Sequence, residues 1–63
     1  MGETFTTEEL IRCAGRELGL RRSTYPKWVR VGRLTQEAAD REIALMDAIY
    51  ARLKELRSKE EGR

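Results

Sequence analysis

The chain has no histidine, one cysteine, one proline, one tryptophan and one phenylalanine. Each scarcity closes an option. Without histidine it lacks the commonest general base and the commonest zinc ligand. With Cys13 alone it can form no intrachain disulfide, and a zinc site would have to be assembled from a nearly absent supply of ligands. There is no glycine-rich phosphate loop, and no serine or cysteine stands in a recognisable nucleophile setting. The carboxylates Glu37, Asp40, Glu42 and Asp47 are spaced so that they spread around a helix as a solvated face. These gaps predict a non-enzymatic protein with no cofactor and no metal. No apolar run approaches the roughly 18 residues of a membrane span, nothing resembles a secretory signal, and a single free cysteine suits a reducing interior. A cytoplasmic protein without membrane contact is expected.

Length limits what remains. At 63 residues a chain buries only about 60% of the surface it exposes when unfolded, so a single small domain is the ceiling. Scaffolds of this size are usually reinforced by disulfides, metal or self-association, and the first two are ruled out by composition. A homodimer is therefore expected.

Acidic residues are missing from one region in particular. Residues 10 to 34 hold seven Arg or Lys against the single acid Glu17, whereas residues 35 to 63 hold six basic and seven acidic groups. Any attraction to polyanions must act through the first half. Within it, "RRSTYPKWVRVGR" (21 to 33) brings together Arg21, Arg22, Lys27, Arg30, Arg33, the only Trp and the only Pro. The cations there read either as a nucleic-acid contact or as partners for Glu17, for the aromatic rings and for acids of the last helix.

What is present is helical. In "FTTEEL", Thr6 and Glu9 form a capping box and Phe5 a staple onto Leu10. Leu10, Ile11, Ala14 and Leu18 then recur at helical spacing, and Gly19 suits the left-handed residue that closes a helix. A first helix of about 7–19 follows, with Cys13 inside it as a small buried hydrophobe. The residue before a proline avoids helical geometry while proline itself suits a first turn, so "YPKWVRVG" predicts a short helix of about 26–31, with Tyr25 at its cap and Gly32 at its end. Trp28 should bury between the two longer helices with Tyr25 packing at the edge; stacking on bases or on a partner is the other reading. Thr35 caps a long helix of about 36–58, and residues 58–63 read as a frayed tail of the one domain.

The expected fold is all-α, a helical hairpin. Along the long helix Ala39, Ile43, Met46, Tyr50 and Leu53 alternate in steps of four and three, with Leu45, Ile49 and Leu56 beside them. A helix of about 23 residues is roughly 34 Å long and one of about 13 roughly 20 Å. The short partner would leave Ile49, Tyr50, Leu53 and Leu56 uncovered, an interface for a second copy or another protein. An ordinary amphipathic helix with a loose last turn is the alternative.

Residues 16 to 49 resemble a group of small phage- and prophage-encoded proteins with the pattern YPxWVxxGRxxxxxAxxEIxxMxxI. Tyr25, Pro26, Trp28, Val29, Gly32, Arg33, Ala39, Glu42, Ile43, Met46 and Ile49 stand at its positions. The resemblance implies a phage-related accessory protein acting through protein or nucleic-acid partners, and carries no site assignments. The stretch from the first helix through "LGLRRSTY" to "KWVRVGRL" is also similar to the helix-turn-helix of excisionase-type proteins, with Pro26 as a departure. That similarity implies DNA binding by the basic corner. The leading expectation is a helical protein-interaction module and the alternative a small nucleic-acid-binding accessory protein.

Overall fold

A computed structural model describes residues 4–62. They form two helices, α1 (Thr7–Arg30) and α2 (Gln36–Glu61), folded back on each other as a hairpin. The start of α1 is held by the Thr6 hydroxyl, which accepts from the Glu9 amide at 3.1 Å, while the Glu9 carboxylate accepts from the Thr6 amide at 2.8 Å. Thr35 plays the same part for α2, accepting from the Ala38 amide at 3.0 Å. Two exposed donors at the start of α1 and one at the start of α2 would otherwise have only water.

The expected break between residues 19 and 26 is absent, and α1 runs through both Gly19 and Pro26. Local chemistry disfavours this: an interior glycine costs about 1 kcal/mol relative to alanine and an interior proline about 3 kcal/mol. Contacts with α2 on both sides of Gly19 hold the helix together. Leu18 is buried in the core just before it, and two residues after it Arg21 donates to the Glu42 backbone carbonyl of α2 at 2.9 Å. At the proline, the carbonyl deprived of its amide partner is that of Arg22, and Arg22 and Pro26 both face solvent, where water replaces the lost bond.

The real end of α1 is at Gly32. Its φ of +80° is the only positive one among the described residues, and around it the Gly32 amide donates to the Val29 carbonyl at 3.1 Å and the Arg33 amide to the Trp28 carbonyl at 2.8 Å. This pair of bonds is a Schellman closure, which needs a residue able to take the left-handed conformation. The sequence offered two glycines for the job, and the one followed by a charged loop into a second cap took it.

Continuity of α1 changes the geometry of the hairpin. Its 24 residues span roughly 36 Å and the 26 of α2 roughly 39 Å, so the two rods match in length. No long end of α2 is left over. Its last turns lie beside the first turn of α1, where Arg57 donates to Glu8 at 3.0 Å and the Thr7 hydroxyl to Glu60 at 3.0 Å. Helix α2 also persists to Glu61, beyond the expected boundary at 58; Arg63 of the expected tail lies outside the described residues.

The seam between the helices is built from one heptad-spaced stripe on each. Ile11, Ala14, Leu18, Ala39 and Met46 are buried, with Ile43, Tyr50 and Leu53 partly covered against them. Gly15 lets the helices approach: a Cβ there would lie 3.2 Å from the Tyr50 ring. The molecule is accordingly one helix layer thick, with extents of 47 × 27 × 16 Å.

Candidate interaction surfaces

A two-helix layer covers each helix on one side only, so the apolar side chains outside the seam stay in solvent. On α1 these are Leu10 and Cys13, one turn apart, with Leu20 and Trp28 further along; on α2 they are Leu45, Ile49 and Leu56, at i, i+4 and i+11. Leu10, Cys13, Met46, Ile49 and Leu53 line one shallow, almost wholly apolar groove along the hairpin, and Phe5 extends it beside Leu10 and Cys13. Phe5 is thus next to Leu10 but covers little of it, since both rings and branches remain largely exposed. Cys13 is exposed, not a buried hydrophobe as expected, because it lies one residue outside the seam position Ala14.

The four residues expected to form an interface divide between two environments. Tyr50 and Leu53 pack into the hairpin's own core, whereas Ile49 is 49% exposed and Leu56 46%. The reason given for their exposure, a first helix too short to cover them, does not hold in the structure; Ile49 and Leu56 are exposed because they point sideways out of the seam, not because α1 stops.

The opposite side of the hairpin is polar. Arg12, Arg16, Lys54 and Arg57 surround Gly15 and Tyr50, with Glu8 as the one acid. The Lys54 ammonium stands 4.5 Å from the centre of the Tyr50 ring, and the hydrogen bond that Arg57 donates to Glu8 raises the guanidinium above its ordinary pKa.

The five cations expected at the basic corner also separate. Arg21 is taken up by structure: it donates to Glu17 at 3.0 Å, bonds the Glu42 carbonyl and approaches the Glu42 carboxylate at 3.5 Å. The bond to Glu17 is the main reason that its pKa is raised. Arg22 faces Asp47 at 3.7 Å, a loose and exposed pair. Lys27, Arg30 and Arg33 are exposed, and among the described residues none has a carboxylate within ion-pair distance.

Between these cations lies Trp28. It is 40% exposed and does not fill the space between the helices. Arg21 is level with Glu42, so two turns further along α1 Trp28 stands beside the very beginning of α2, which offers too little surface to cover an indole. Its neighbour is Tyr25, half-buried, whose ring stacks on it at a centroid distance of 5.4 Å and an interplanar angle of 25°; the Arg21 guanidinium lies 5.9 Å from the Tyr25 ring. Tyr25 is a mid-helix residue, not a cap, and Pro26 is an interior one, not a first-turn one. Val31, at 68% exposure, completes the tip.

A helix-turn-helix is not formed, since the segment that would supply its turn, residues 18 to 25, is continuous helix. Sequence reasoning missed Leu10 and Cys13 as a surface and Arg57 as a cross-helix partner, and it gave acids of the last helix as partners for the cations without naming Glu42 or Asp47. The first two were detectable from Leu10, Cys13, Glu17 and Leu20, a second stripe in steps of three and four beside the core stripe. The cross-helix partners depend on the register of the hairpin, which no local pattern encodes.

Among the described residues no three His, Cys, Asp or Glu side chains gather as a metal-binding group, and no helix is long and apolar enough to cross a membrane. No family model matches this sequence, and it has no detectable match among curated proteins or solved structures.

Proposed function

We propose that the chain is a non-enzymatic helical protein-interaction module whose working form is a homodimer, two hairpins packed apolar side to apolar side as a four-helix arrangement. The observation that carries this reading is surface area. A compact monomer of 7.3 kDa exposes about 4,200 Å², whereas this hairpin exposes 5116 Å². The excess of about 900 Å² is close to the roughly 800 Å² that each partner contributes to a standard stable interface. Of the exposed apolar side chains, Leu10, Cys13, Leu45, Ile49 and Leu56 lie along one side of the hairpin, and a second copy offers the same stripe at the same length.

Self-complementarity is what a two-fold interface requires, and an isologous contact closes, so assembly stops at two. The polar side, with Arg12, Arg16 and Lys54, stays outward and keeps the assembly soluble. The resemblance to small phage-encoded proteins supplies the setting, an accessory protein that acts by contact and not by chemistry.

Sedimentation equilibrium tests this at tens of micromolar. The expected result is twice the chain mass for the wild-type protein and a monomer for Ile49→Glu, with helicity by circular dichroism retained. A folded wild-type monomer at that concentration contradicts the reading.

A further inference from the structure

The tip of the hairpin carries a second surface whose chemistry differs from that of the apolar side. No acid occurs between Glu17 and Glu37, and the end of α1 and the turn after it present Lys27, Arg30 and Arg33 without carboxylate partners among the described residues. Set among them are an indole 40% exposed and stacked on a tyrosine, and Val31.

Folding accounts for only part of this. Lys27 and Arg30 stand in the last turn of α1, where cations complement the helix dipole. That explanation leaves Arg33, which lies beyond the helix, and it leaves Trp28, 40% exposed and outside the core cluster. Exposed aromatic rings interleaved with unpaired cations are the elements that bind single-stranded nucleic acid: the rings stack on bases, and the cations hold the phosphates on either side.

We propose that the Tyr25–Trp28 stack and the cations Lys27, Arg30 and Arg33 form a single-stranded nucleic-acid binding site at the hairpin tip. A duplex is a poorer fit. Its base faces are hidden, and no separate recognition helix exists to enter a groove. The start of α2, beside the tip, carries Glu37 and Asp40, which repel a second phosphate backbone. The site is independent of self-association, since it lies at the end of the hairpin and shares no residue with Leu10, Cys13, Ile49 or Leu56.

Trp28 is the only tryptophan, so the proposed contact has its own reporter. Titration of the full chain at low salt with an oligothymidylate of about twelve nucleotides should quench its emission saturably. With three phosphates neutralised on a single strand, log affinity should fall with log salt at a slope of about −2. Anisotropy of a labelled oligonucleotide then reads the variants. Trp28→Ala should weaken binding on the order of tenfold or more, and Lys27→Glu with Arg33→Glu should abolish it, with circular dichroism unchanged in both.

Ile49→Glu should retain affinity per chain even as a monomer, so loss of the dimer and loss of this site are separately visible. The proposal is overturned by absent binding at low salt, by binding that Trp28→Ala leaves intact, by equal or tighter binding of a duplex of the same length, by loss of binding in Ile49→Glu, or by saturable binding to phosphatidylserine vesicles without binding to the oligonucleotide.

Discussion

Leu18 and Ile49 are apolar side chains of similar size on facing helices, and their fates differ: Leu18 is 4% exposed and Ile49 49%. The difference is angular, not longitudinal. Each helix carries two adjacent apolar stripes, and a partner helix of matched length covers the inner one along its whole course while leaving the outer one bare. A broad apolar arc on a helix thus signals a second neighbour around its circumference. It does not require that the first neighbour be short.

The largest expected effect breaks the inner stripe. Leu18→Ala should cost about 2–5 kcal/mol, most of the stability of so small a domain, and show as a loss of cooperative thermal unfolding. Next comes the outer stripe, where Ile49→Glu should leave the isolated hairpin folded while abolishing self-association, read by size-exclusion chromatography at several loading concentrations. Trp28→Ala should cost about 1–2 kcal/mol, well below the roughly 3–5 kcal/mol of a buried aromatic, because the ring loses a stack on Tyr25 and little core contact; urea unfolding gives the figure. The smallest change has the opposite sign. A Cβ at Gly19 meets nothing within 4 Å, and the residue is mid-helix, so Gly19→Ala should stabilise by about 0.5–1 kcal/mol. Were Gly19 a left-handed helix terminus, the same substitution would destabilise.

The all-helical hairpin was legible in the sequence because its signals are local. Thr6 with Glu9, and Thr35, mark helix starts through bonds that span three residues, and the positions of Ile11, Ala14, Leu18, Ala39 and Met46 repeat with the helical period. What was not legible is where tertiary contact outweighs local preference. Gly19 and Pro26 each disfavour helix, and they lose because Leu18 and Arg21 are fixed against α2 on either side of the glycine and the proline's missing bond faces water. The misplacement of Trp28 followed directly: a short connecting helix would have folded the indole inward, whereas a continuous α1 carries it past the start of α2. The candidate surfaces were legible in composition, as a basic corner and an apolar stripe, but not in membership. The pairing of Arg21 with Glu17 was legible from their i, i+4 spacing, but its bond to Glu42 was not; Tyr50 and Leu53 left the stripe for the core, and Leu10 and Cys13 replaced them.

The central claim is that a second copy covers the outer stripe and so contributes to stability by mass action. The melting temperature of the wild-type protein, followed over about a hundredfold range of concentration, should rise with concentration, and that of Ile49→Glu should stay level. A wild-type melting temperature independent of concentration, on a fully folded protein, would contradict it.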